Sequence, residues 1–225
     1  MLALLITTAL TAAAAPATKP ATAIDAERAF AADARRKGQS TAFRNWSDPT
    51  AVMFEPQAVW VQQAVKDRKD PPRAHQWAPS VSYTSCDGRT ALNVGSWREP
   101  GTGTSGTFTT LWMKQRSGDW RYIVDSVTVG KASLSPRART ERASCVNRAA
   151  AARVLAASAT SAAALASPPC DAGQGRSADG TIAYRWIVSP GGTRRITVRQ
   201  WTGRSYRVVL DQRIAANGRL AKPGA

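Results

Sequence analysis

From Thr90 to Val129 the chain alternates apolar and polar residues in three runs separated by two glycine-rich turns, and no other stretch constrains the fold as much. Alternation sends successive side chains to opposite faces of a strand, so each run is predicted to be a β-strand with one face to bury. Leu92, Val94 and Ser96 share a face opposite Asn93, Gly95 and Trp97, while Phe108, Thr110 and Trp112 oppose Leu111 and Met113. In the last run Trp120, Tyr122 and Val124 oppose Arg121, Ile123, Asp125 and Val127. Upstream, Val81, Tyr83 and Ser85 oppose Ser82, Thr84 and Cys86 ahead of an Asp87-Gly88 hairpin turn. Such a meander can cup a small ligand or pack against helices. Gly101, Gly103 and Gly106 match the GxGxxG dinucleotide spacing. That fingerprint needs a helix at its third glycine, whereas Thr107 to Thr110 continue as a β-branched strand, so the glycines read as a hairpin loop.

Helices precede the strands. Thr22 and Asp25 form a capping-box pattern, and Ala23, Ala26, Phe30 and Ala34 recur at helical spacing up to Gly38. Ser40 is placed to cap a second short helix carrying Phe43 and Trp46, which Asp48 and Pro49 end. A strand at Ala51 to Phe54, a short piece at Val59 to Val61 and a charged turn from Lys66 to Pro72 lead into the meander. Helices followed by a run of strands predict an α+β fold.

Residues 1–17 have the pattern of a cleaved export signal: a short apolar run from Leu2 to Leu10, then small residues with Ala15 or Ala17 at the cut, although no lysine or arginine precedes the run. Export to the periplasm or beyond would permit a disulfide among the three cysteines. Cys145 and Cys170 flank an alanine-rich segment and Cys86 ends a strand, so the expected bridge is Cys145 to Cys170, with chance proximity in sequence as the competing reading. One histidine and no CxxC argue against a metal site.

The run AERAFAADARRKGQSTAFRNWSDPTAVMFEPQ, the LNVGSW strand and the TLWMKQRSGDWRYIVDS hairpin resemble the nuclear transport factor 2-like superfamily over residues 21–129. The likeness is greatest to exported SnoaL-like domains of unknown function. It implies a cone-shaped α+β fold (cystatin-like), with a curved antiparallel sheet over N-terminal helices and a pocket at the open end. Members similar to ketosteroid isomerase carry a general-base carboxylate just before a proline, which Glu55 and Pro56 match here. The tyrosine that those members place in the first helix has no counterpart, since Ala31 and Phe30 stand there, and steroid-type isomerisation is therefore not expected.

Candidate site residues follow. Glu55 would be a catalytic base if a dry pocket raised its pKa, the competing reading being a surface carboxylate paired with an arginine. Asp125 would be a second acid or ligand contact, or else a strand-end aspartate bonding backbone groups or meeting an arginine. His75, in a loop before Trp77, is an acid–base candidate whose bland reading is an incidental loop histidine. Trp46, Trp60, Trp77, Trp97, Phe108 and Trp112 are candidates for an aromatic ligand wall, with core packing as the alternative for most.

Beyond Val129 the composition changes. Residues 131–178 pass from a basic stretch into an alanine-rich helix or linker, and residues 179–215 read as a three-stranded β-meander. That meander is too small to stand alone and is expected to pack on the first domain or on a partner. Its arginines at 185, 194, 195, 199, 204, 207 and 213, in a chain of net charge +16, make a candidate basic face. The expected function is an exported, non-catalytic domain binding a small molecule or a partner, the alternative being a lyase, isomerase or hydrolase-like enzyme with a carboxylate base. No cofactor and no specific nucleic acid are expected. A hydrophobic small molecule is the expected ligand, an anionic surface or protein the expected partner, and a homodimer an open option.

Overall fold

A computed structural model describes residues 19–151, 153–154 and 171–221. The signal-like residues 1–17, Cys170 and most of the alanine-rich stretch read as helix or linker lie outside the described residues. Two helices open the fold. In α1 (Ala23–Lys37) the capping box forms as expected: Thr22 Oγ1 accepts from the Asp25 N–H at 3.1 Å, and Asp25 accepts from the Thr22 N–H at 3.2 Å. α2 (Gln39–Trp46) follows after one glycine. Gly38 has φ +101°, and a Cβ there would lie 2.1 Å from the Asp70 carboxylate, so both backbone and space require glycine. Ser40 does not cap α2. Asp70 arrives from a loop 29 residues downstream and accepts from the Thr41 N–H at 3.2 Å, while Ser40 Oγ reaches the Lys69 carbonyl at 3.4 Å.

Among the described residues, eleven strands make two sheets. The first has seven, β1 (Ser47–Glu55), β2 (Gln57–Trp60), β3 (Gln76–Thr84), β4 (Thr90–Arg98), β5 (Ser105–Lys114), β6 (Trp120–Val127) and β7 (Arg139–Arg142), in the order β2-β1-β6-β5-β4-β3-β7. It is mixed, because β1 runs parallel to β6 and β7 parallel to β3. A short helix, α3 (Val61–Ala64), follows β2. The second sheet is antiparallel, with β8 (Asp171–Arg176), β9 (Ile182–Val188), β10 (Arg194–Trp201) and β11 (Tyr206–Ile214) in sequential order. It has four strands, not three. Glycines at 173 and 175 hid β8 inside the stretch read as linker, and both close on aromatic rings of β9, Trp186 and Tyr184.

The seven-stranded sheet is covered on both faces. Phe30, Ala26, Ala34 and Ala42 from the helices pack with Trp112, Trp120 and Tyr122 on one face. On the other, Leu92, Leu111 and Val124 meet Ile182, Trp186, Ile196, Val198 and Leu210 of the second sheet. The expected alternation therefore holds along β4 and β5. Along β6 it does not. Leu111 pairs with Val124 but Trp112 pairs with Tyr122, so Ile123 is an extra residue. This bulge brings Tyr122 and Asp125, read from parity as opposed, to the same helix-covered face.

The disulfide joins Cys86 to Cys145, with Cα atoms 5.2 Å apart, and this overturns the Cys145–Cys170 pairing. The cause is β7, which follows β3 in parallel with Thr84 opposite Arg142, so the chain leaves both strands side by side and the two cysteines meet. Polar contacts bind the layers at the same end: the Cys86 N–H donates to Thr181 Oγ1 at 2.9 Å, and Gln200 Nε2 to the Glu141 carbonyl at 2.8 Å.

Candidate functional site: a buried carboxylate pair in an aromatic cavity

A cavity of about 470 Å³, counting its open mouth, lies between the helices and the first sheet. Its apolar wall is Phe30 and Phe43 from the helices with Trp77, Trp97 and Phe108 from β3, β4 and β5. Its polar lining residues are Glu27, Gln39, His75, Thr110 and Asp125. Phe30 lies in an aromatic cluster, with ring centroids 4.9 Å from Trp77, 5.0 Å from Phe43 and 5.4 Å from Tyr122. Such edge-on and stacked contacts fix the wall.

Glu27 has no solvent exposure. Its carboxylate accepts from Trp112 Nε1 at 2.7 Å, Trp77 Nε1 at 2.9 Å and Asn93 Nδ2 at 3.2 Å. Burial nonetheless pushes its pKa up to about 7: desolvation outweighs the three donors, and the Asp125 charge adds to the rise. Asp125 is 8% exposed and accepts from Thr110 Oγ1 at 3.0 Å. Its pKa is raised to about 6, again by desolvation, against which Thr110 and Arg194 act. Of the two carboxylates, Asp125 keeps some exposure and can exchange a proton with a ligand held between the aromatic walls, while Glu27 is closed off by its three donors.

The sequence candidates separate by location. Asp125, Trp77, Trp97, Phe108 and His75 line the cavity. Trp112 lies fully buried behind it, donating to Glu27, and Trp46 donates to Asp33 at 3.0 Å. Trp60 is 53% exposed on β2. Glu55 takes no part in the cavity: at the β1–β2 turn it pairs with Arg68 at 2.8 Å, the surface reading weighed against its role as base. His75 stacks on Trp97 with centroids 5.2 Å apart. The residues that sequence reasoning missed are Glu27, Asn93 and Thr110. Glu27 left a signal, since it sits four residues after Ala23 and three before Phe30, a charge on the apolar stripe of α1.

Among the described residues no cluster of three histidine, cysteine, aspartate or glutamate side chains is arranged for a metal ion, and no helix is long and apolar enough to cross a membrane. Gly101 and Gly103 lie in the β4–β5 loop, and Gly106 sits in β5. A scan against protein-family models finds no match to this chain, and a search of curated proteins finds none either.

Proposed function

We propose that the chain is an exported small-molecule enzyme of the nuclear transport factor 2-like, SnoaL-like type, in which Asp125 takes up and returns a proton inside the aromatic cavity. One observation carries the reading: Asp125 and Glu27 are both buried and both line the same cavity. The helix pair packed on one face of a sheet in which β1 runs parallel to β6 supports the fold assignment. Asp125 would accept a proton from an acidic carbon, leaving the electron pair to form an enolate or to expel a leaving group. His75, on the same wall, would hydrogen-bond the oxygen that gains charge. The chemistry is that of an isomerase or lyase acting on a mainly apolar substrate with a carbonyl group.

The test uses 5-nitrobenzisoxazole, whose ring opening needs only a base: the C–H proton passes to the carboxylate, the N–O bond breaks and a coloured phenolate forms. Wild type should accelerate the reaction, with Asp125→Asn slower by about a hundredfold or more. Equal rates would leave the second reading, a binding pocket without catalysis. The saturation of Glu27 by three donors favours that one, because such a carboxylate can be a structural clasp.

A further inference from the structure

We propose that Arg194, on β10 of the second sheet, is a positioning residue of the cavity: it holds the end of β6 from behind and is the buried counter-charge to Asp125. Its functional meaning rests on the reading of Asp125 as the working carboxylate.

Arg194 belongs to the basic series read as a surface face, yet it is 3% exposed. Its Nη2 donates to the Val127 carbonyl at 2.6 Å and its Nε to Ser126 Oγ at 3.2 Å, and its guanidinium lies 5.3 Å from the centre of the Phe54 ring. All three partners are neutral. A guanidinium keeps its charge when buried, so this one needs an anion nearby to offset its desolvation. The anion is Asp125, one residue before Ser126. Ser126 meets Arg194 from the second sheet while Asp125 and Val127 line the cavity on the opposite face. Cation and carboxylate thus lie on opposite faces of one strand, a strand's thickness apart in the sheet.

The other groups around Asp125 approach from the cavity side: Glu27 on α1, His75 before β3, Thr110 on β5 and Tyr122 on β6. Of these, Glu27 adds negative charge and Thr110 a hydrogen bond. Arg194 is the one lysine or arginine in the buried set of the described residues, and it favours the ionised form of Asp125. The bonds to Ser126 Oγ and to the Val127 carbonyl also fix the strand end from which Asp125 projects. The C-terminal sheet, outside the span that resembles a known family, therefore completes the site.

The experiment is a carbon-13 NMR titration of the Asp125 carboxyl in the full chain, compared among wild type, Arg194→Met and Arg194→Lys. The wild-type midpoint should lie at about 6. Arg194→Met should raise it by on the order of half a pH unit or more, and Arg194→Lys, which keeps the charge, should move it less. A folded Arg194→Met protein with an unmoved midpoint overturns the proposal. If Arg194→Met does not fold in buffer, osmolyte-stabilised urea melts of Arg194→Met, Asp125→Asn and the double variant decide: a double loss smaller than the sum supports the charge pairing, and strict additivity overturns it. None of these readouts needs turnover, so they stand apart from the benzisoxazole test.

Discussion

Glu27 occupies a helix position that its neighbours reserve for an apolar side chain, and the fold accommodates it with three donors from three strands. An amide cannot accept from all three, so Glu27→Gln should turn one –NH₂ group toward an indole N–H and cost about 1–3 kcal/mol in urea melts. The carboxylates also give stability a pH dependence of defined sign. Both pKa values are raised on folding, so the native state binds protons that the unfolded chain has released. Their contribution is complete below about pH 4 and is lost as pH rises through about 6 for Asp125 and about 7 for Glu27. Asp33, Asp179 and Asp211 are shifted down and act oppositely, at pH values below the ordinary carboxylate range. Urea melts from pH 5 to 8 should therefore show stability falling by on the order of a few kcal/mol, with Asp125→Asn flattening the lower part of the slope. At Ser82 the expectation is the reverse: its buried hydroxyl finds no hydrogen-bond partner among the described residues, so Ser82→Ala should be neutral or slightly stabilising. The sequence offered Asp125 as a candidate but not Glu27, because a charged helical residue ordinarily reads as solvated and only its place on the apolar stripe argued otherwise.

At the level of elements, β4 and β5 were legible because their alternation runs unbroken through the ladder they share. β6 was not. Its extra residue inverts parity halfway along, and nothing in the composition of Trp120 to Val127 marks where. β7 and β8 escaped for another reason: an arginine-rich and a glycine-rich run lack the apolar face by which strands are recognised, and both are edge strands. Trp112 shows how elements depend on one another here. It is fully buried on β5, it bonds Glu27 of α1, and its ring lies 5.6 Å from Tyr122 of β6 and 6.0 Å from Trp46 of α2. Trp112→Ala should cost about 3–5 kcal/mol by thermal or urea denaturation. Trp112→Phe, which keeps the ring but drops the N–H, should lose less and shift the titration of Glu27 upward by removing a donor to its charged form.

In the whole molecule, the Cys86–Cys145 bond closes a loop between residues 59 apart and fastens the β3–β4 turn to the point where the chain leaves the first sheet for the second. Replacing both cysteines by serine should cost up to about 4 kcal/mol, read from paired melts. Ending the chain at Gly130 would strip the second sheet from Leu92, Leu111 and Val124, and the shortened protein should aggregate in light scattering where the full chain does not. The three-layer arrangement has one more consequence. A sheet face that an independent partner would cover only above its dissociation constant is covered here by a segment of the same chain, at an effective concentration fixed by the tether. Dilution cannot remove that layer, and the sheet behind the cavity keeps its cover at any protein concentration.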